Sequence, residues 1–292
     1  MKRSRPQLEV GSTEHARSPS TVTNVRYFNS KKIPMQYDED PESTTDRLHV
    51  MIKQQSHYFD ECYDYIMAPK QSRLREWRQR ICEWYYGVLD QTQHDRAVAS
   101  LSINLLDRYI MVKFGAETIG RREYYLVAMT CLMLGSKLSV TRLTRRCHIS
   151  IDFLIYGSEK KFTVGEVETV ERDILIQLEW RFHPPLVSEF IHELFQLIPR
   201  WDRDMEWRQL AFEHAIYAAE LSTIVGDPIK NSAIMAYVCV LSALQTKPIP
   251  PIYRNTFDCN ASLVMNLSPD KVTSKVDDIH CLICNAFRVC KT

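Results

Sequence analysis

Glycine is scarce in this chain, at 8 of 292 residues, and the few present form neither a GxGxxG nor a GxxxxGK[ST] pattern. Phosphate-cradling loops depend on such glycines, so no nucleotide fold is expected. Strand-like alternation is absent nearly everywhere, which argues against a β-rich architecture. No charge excess exists either. Thirty-seven basic residues meet 36 acidic ones, leaving +1. A protein living by phosphate contacts concentrates basic charge on its binding domain, so direct nucleic-acid binding is not expected. No apolar run approaches the roughly 20 residues of a membrane span, and the N-terminus, MKRSRPQLEVGST, has no apolar core of a secretory signal. The nine cysteines are odd in number and scattered, several within apolar helical runs, which fits a reducing compartment better than a disulfide scaffold.

What is present is helical periodicity. Residues 1–45 lack it and read as a disordered regulatory tail, +5 over residues 1–36 and then acidic in DEDPESTTD (38–46). Ser18-Pro19 there is a candidate phosphoacceptor. An N-terminal helix and linker are expected over 46–71, with Leu48, Ile52 and Phe59 at helical spacing and Pro69 as a break. Helical patterns then cover 72–90, 95–113, 123–138 and 163–180. The last opens on Thr163 with Glu166 three residues on, a capping box. His183-Pro184-Pro185 cannot continue a helix and reads as an interdomain link. Patterns resume at 186–198, 204–225 and 228–246, stop at PIPP (248–251), and return at 259–266 and 269–289. The whole predicts an all-α protein of two consecutive helical bundles, at 72–182 and 186–292.

In such a chain the informative residues are charges on apolar faces, because a buried unpaired ion costs several kcal/mol. Arg78 shares a face with Leu74, Ile81 and Tyr85, and Asp107 lies between Ile103 and Ile110. They are a natural internal ion pair. Glu171 sits among Val167, Ile174 and Leu175. Lys137 ends CLMLGSKL after an apolar run from Leu126 that only Thr130 interrupts. Lys137 and Glu171 either pair with each other or are held out for another protein. Cys281 and Cys284, with His280 and Cys290 nearby, make only one CxxC, whereas a zinc site usually needs two such knuckles, so no metal or cofactor is expected. Cys147-His148 lacks an orienting motif, and no enzymatic activity is expected.

Four motifs in order resemble the cyclin family: RQRICEW (78–84), INLLDRYI (103–110), CLMLGSKL (131–138) and VERDILIQLEWRFHPP (170–185). The resemblance implies two five-helix cyclin-box folds. It also implies a regulatory subunit that activates a cyclin-dependent kinase, in cell-cycle control, in the nucleus, the cytoplasm or both. On it, Arg78 and Asp107 match the structural ion pair of the first box, and Lys137 and Glu171 match the residues that grip the kinase. Trp77, Ile81, Trp84 and Tyr125 match a substrate-docking groove for kinase substrates or inhibitors. Arg5 to Leu8 is similar to a destruction signal read by ubiquitin-ligase machinery. Departures are present: Leu138, Ser139 and Val140 follow Lys137 where acids are frequent, and Arg142, Arg145 and Arg146 lengthen the next segment. In the groove Arg80 stands at an apolar position, Gly87 at an acidic one and Tyr125 at a glutamine, which argues against recruitment of basic Arg-x-Leu motifs. The alternatives are a cyclin-fold transcription factor that binds DNA and polymerase machinery, and a scaffold that does not activate a kinase.

Overall fold

A computed structural model describes residues 41–58, 72–115, 119–139, 148–198, 205–226, 231–246 and 251–266. All regular structure among them is helical: α1 (Pro41–Gln55), α2 (Ser72–Thr92), α3 (Ala97–Phe114), α4 (Arg121–Leu138), α5 (Ile151–Gly157), α6 (Val164–Gln177), α7 (Val187–Gln196), α8 (Met205–Val225), α9 (Ser232–Thr246) and α10 (Pro251–Met265). No helix among the described residues is long and apolar enough to cross a membrane. The described chain divides into two compact units after His183, and the described residues 41–58 belong to the second.

The first unit holds α2–α6. Its centre is α4, buried without interruption from Tyr124 to Ser136, and it packs most extensively on α3, buried at Val98, Leu101, Leu105, Leu106 and Ile110. A helix that is apolar all round must be surrounded by others, and α2, α3 and α6 all pack on α4. The short α5, absent from the periodicity, is started by Ser150, whose Oγ accepts from the Phe153 amide at 3.2 Å. Seven residues are too few to show a repeat, and its one buried side chain is Leu154.

In the second unit α9 packs on α7 and α8. Helix α1 joins this unit rather than the sequence that follows it. Arg47 pairs with Glu193 at 3.0 Å, and the Gln55 amide bridges Asn231 Oδ1 (3.2 Å) and the Ala233 amide (3.3 Å). Two element boundaries differ most from the periodicity. Helix α1 starts at Pro41, so 41–45 are helical rather than part of a tail. Helix α10 starts at Pro251, not near 259, because a proline in the first turn has no amide to lose. The rest of the N-terminal tail and the patterns at 269–289 lie outside the described residues, with Cys281, Cys284, Arg5, Ser18, Arg142, Arg145, Arg146 and Cys147.

Candidate protein-binding site

Among the described residues, one charge pair of the first unit is buried on both sides. Arg78 donates from Nε to Asp107 Oδ1 (3.1 Å) and from Nη2 to Oδ2 (3.0 Å), a bidentate contact whose side chains are only 7% and 9% exposed. Two desolvated ions are tolerable only with such geometry. Cys82 lies one turn from Arg78. Burial pushes its thiol up to about 12, more than the Arg78 charge pulls it down, so it stays a small protonated core residue. Tyr85, from the same helix, donates to the Ala128 carbonyl at 2.5 Å and ties α2 to the middle of α4.

The end of α4 is set by close packing. A Cβ at Gly135 would lie 2.2 Å from Ser102 Oγ and 3.3 Å from its Cβ, so only glycine lets α3 approach here. One residue on, Ser136 Oγ donates to the Met133 carbonyl (2.8 Å) and accepts from the Ile149 amide (3.1 Å), anchoring the chain that leads into α5. Lys137 is the first exposed residue after thirteen buried ones.

Helix α6 is aimed from its N-terminus. Thr163 Oγ1 accepts from the Glu166 amide (3.3 Å), and Glu166 Oε2 accepts from the Thr163 amide (2.8 Å), completing the capping box. Arg122 at the start of α4 donates to Glu166 Oε1 (2.7 Å) and to the Lys161 carbonyl (3.1 Å). The Arg122 and Thr163 contacts hold the Glu166 carboxyl below the usual range. Farther along, Asp173 accepts from the Tyr109 hydroxyl (2.5 Å) and pairs with Lys113 (3.1 Å), both on α3. Burial opposes the charge on Asp173, but these contacts, with Gln177, outweigh it and hold the carboxyl below its ordinary value. Burial and the adjacent carboxylate push the Tyr109 phenol well up.

With α4 and α6 so fixed, Lys137 Nζ and Glu171 Oε1 meet at 2.7 Å, with side chains 38% and 21% exposed. The pair uses one of three ammonium donors and one of two carboxylate oxygens, leaving hydrogen-bonding capacity on both groups. Just past α6, Glu179 and Trp180 both adopt left-handed backbone, at φ 51° and 61°, a conformation that helix ends usually give to glycine. The turn is held by the Trp180 amide on the Leu175 carbonyl (3.2 Å) and by buried Arg108, whose Nη1 donates to the Arg181 carbonyl (2.7 Å). The result is an indole 70% exposed. Neither this exposure nor the Tyr109–Asp173–Lys113 network was singled out by sequence reasoning. A tyrosine on an apolar face reads as core, and Trp180 follows the last helical repeat.

The four candidate groove residues do not share one environment. Ile81 and Tyr125 are buried, at 1% and 7% exposure, whereas Trp77 and Trp84 are half-buried. Trp77 packs its ring 5.7 Å from Tyr124.

Comparison with known proteins shows what the chain is similar to. The model for the cyclin N-terminal domain matches residues 46–183. A cyclin homolog of Saimiriine herpesvirus 2 is 24% identical over 208 residues, covering 69% of this chain and 75% of its own length. The G2/mitotic-specific cyclin S13-7 of Glycine max is 24% identical over 199 residues, covering 67% of this chain and 71% of its own. Among solved structures, a viral cyclin from herpesvirus saimiri superimposes with a TM-score of 0.57 at 17% identity, over 85% of this chain and 99% of that one. That likeness speaks to the fold alone.

Proposed function

Because the chain belongs to the cyclin family, we propose that it is a regulatory subunit that binds and activates a cyclin-dependent protein kinase in cell-cycle control. The observation that carries this reading is the Lys137–Glu171 pair, fixed at 2.7 Å at the exposed end of α4, just past its buried run. A pre-formed pair loses little side-chain freedom when a partner arrives. Its free ammonium protons and carboxylate oxygen can take up backbone carbonyls and amides of a kinase helix. Trp180 supplies an exposed aromatic anchor at the end of the helix that bears Glu171, the residue type that most often carries interface affinity. Holding the kinase's regulatory helix inward completes the lysine–glutamate pair of the kinase active site, so the catalytic groups all belong to the kinase.

The test is reconstitution. The purified chain is mixed with each of a panel of purified cyclin-dependent kinases, and co-elution and phosphorylation of a generic peptide are measured. At least one kinase should co-elute and gain activity. If none does either, the proposal fails.

A further inference from the structure

Arg47 holds several groups at once. Its Nη1 donates to Ser43 Oγ at 2.6 Å, its Nη2 to Thr44 Oγ1 at 3.1 Å and its Nε to Glu193 Oε2 at 3.0 Å. Ser43 and Thr44 stand near the start of α1, whereas Glu193 belongs to α7, so the guanidinium also tethers one helix to the other. The ion pair is partly screened from water, with side chains 35% and 23% exposed. The sequence around the two hydroxyls is acidic: Asp38, Glu39, Asp40 and Glu42 precede Ser43, and Asp46 follows it. Among the adjacent residues Ser43, Thr44 and Thr45, only Ser43 has a carboxylate three positions on. Arg47 and Leu48 take that place for the threonines. Thr44 is also closed off, at 1% exposure, whereas Ser43 is half-buried and Asp46 exposed. Helix ends fray and open at low cost, so the third residue of α1 can reach an enzyme without unfolding the unit.

We propose that Ser43 is a phosphorylation site for an acid-directed protein kinase, and that its phosphate takes Arg47 from Glu193 and loosens α1 from α7. A kinase of that class presents cations to the acids that flank its target, and this stretch supplies them. In the transfer, Ser43 Oγ attacks the γ-phosphorus of a nucleoside triphosphate, its proton passes to a base of the kinase, and the nucleoside diphosphate leaves with the electrons of the broken P–O bond. The product carries about −1.5 to −2 charges and three strong acceptor oxygens. It stands where Arg47 Nη1 already donates to the neutral hydroxyl. A guanidinium takes a phosphate through a two-pronged fork, which the single Nε contact to Glu193 cannot match. Glu193 is then left part-buried beside added negative charge, and Glu42 and Asp46 on α1 add to the repulsion. The Gln55 contacts to Asn231 and Ala233 carry no charge, so the release is confined to the N-terminal half of α1.

Nothing here rests on the kinase-activating function proposed above, and the test does not use that activity. The full chain is incubated with ATP and a purified serine/threonine kinase that requires a carboxylate three residues after its target. Mass spectrometry locates the phosphate, and amide hydrogen exchange follows residues 46–52 before and after modification. Ser43 should be modified, and exchange over 46–52 should then be about ten-fold faster, as local opening becomes easier. Ser43→Ala should leave residues 41–46 unmodified and their exchange unaffected by the kinase. Glu193→Gln removes the carboxylate that the phosphate displaces. That chain should still be phosphorylated on Ser43, with no further change in exchange. The proposal is overturned if Ser43 is not modified, if Thr44 or Thr45 takes the phosphate instead, if exchange over 46–52 is unchanged or slower after modification, or if the Glu193→Gln chain responds as strongly as the native one.

Discussion

Gly135→Ala probes the joint that delivers Lys137 to the surface. The new methyl would meet Ser102 Oγ at 2.2 Å, Ser102 Cβ at 3.3 Å and the Ser102 amide nitrogen at 3.4 Å, on a serine that is fully buried and already donates to the Val98 carbonyl at 2.7 Å. Rotating the hydroxyl away relieves the first contact but breaks that hydrogen bond. The other two contacts involve Cβ and backbone, so α3 and α4 must separate by a few tenths of an ångström. Overpacking of this kind costs about 1–3 kcal/mol or more. Against it stands the helix preference of alanine over glycine, about 1 kcal/mol. The steric term wins, and a net loss of up to about 2 kcal/mol is expected. The check is urea unfolding followed by far-ultraviolet circular dichroism. Gly87→Ala is the matched control, since that helical glycine is exposed with nothing within 4 Å, and it should gain about 0.5–1 kcal/mol. Ser102→Ala combined with Gly135→Ala should recover part of the loss, giving a measurable coupling between the two sites. A Gly135→Ala protein as stable as the native chain would refute the close-approach reasoning.

Other consequences follow from the charged contacts. Asp107→Ala leaves the Arg78 guanidinium buried without its carboxylate and should cost about 3–5 kcal/mol in denaturant midpoint measurements, while Arg78→Met/Asp107→Leu should cost much less. Asp173 has a folded-state pKa held below its unfolded value. Its contribution is therefore present above the ordinary aspartate range and is lost as pH falls through the depressed folded value. Urea midpoints of the native chain and Asp173→Asn should thus differ near neutral pH and converge in acid. A gap that stays constant with pH would count against the Tyr109–Asp173–Lys113 network.

The contacts most readable from sequence were those where burial forces a choice. A charge placed among Leu74, Ile81 and Tyr85 has to find an opposite charge, and only Asp107 sits in a matching apolar register on the neighbouring helix. The Thr163–Glu166 box was visible because its spacing is the interaction itself. Less could be read where packing decides. That Ile81 and Tyr125 are buried while Trp77 and Trp84 remain half-open depends on how α2 and α4 rotate against each other. Helix α1 joins the second unit through Arg47–Glu193 and Gln55–Asn231, contacts 146 and 176 residues apart in sequence, which no local pattern encodes. Helix α5 is fixed by one buried leucine and a serine cap, too little for a periodic signal.

The most direct test of the central claim is the affinity of the partner kinase for the Lys137→Ala/Glu171→Ala chain. The two side chains are partly exposed, and such a pair contributes only about 0–1 kcal/mol to folding, so the variant should melt close to the native temperature. Kinase co-purification and activation should nevertheless be lost. Native-like kinase binding by a folded double variant would contradict the account.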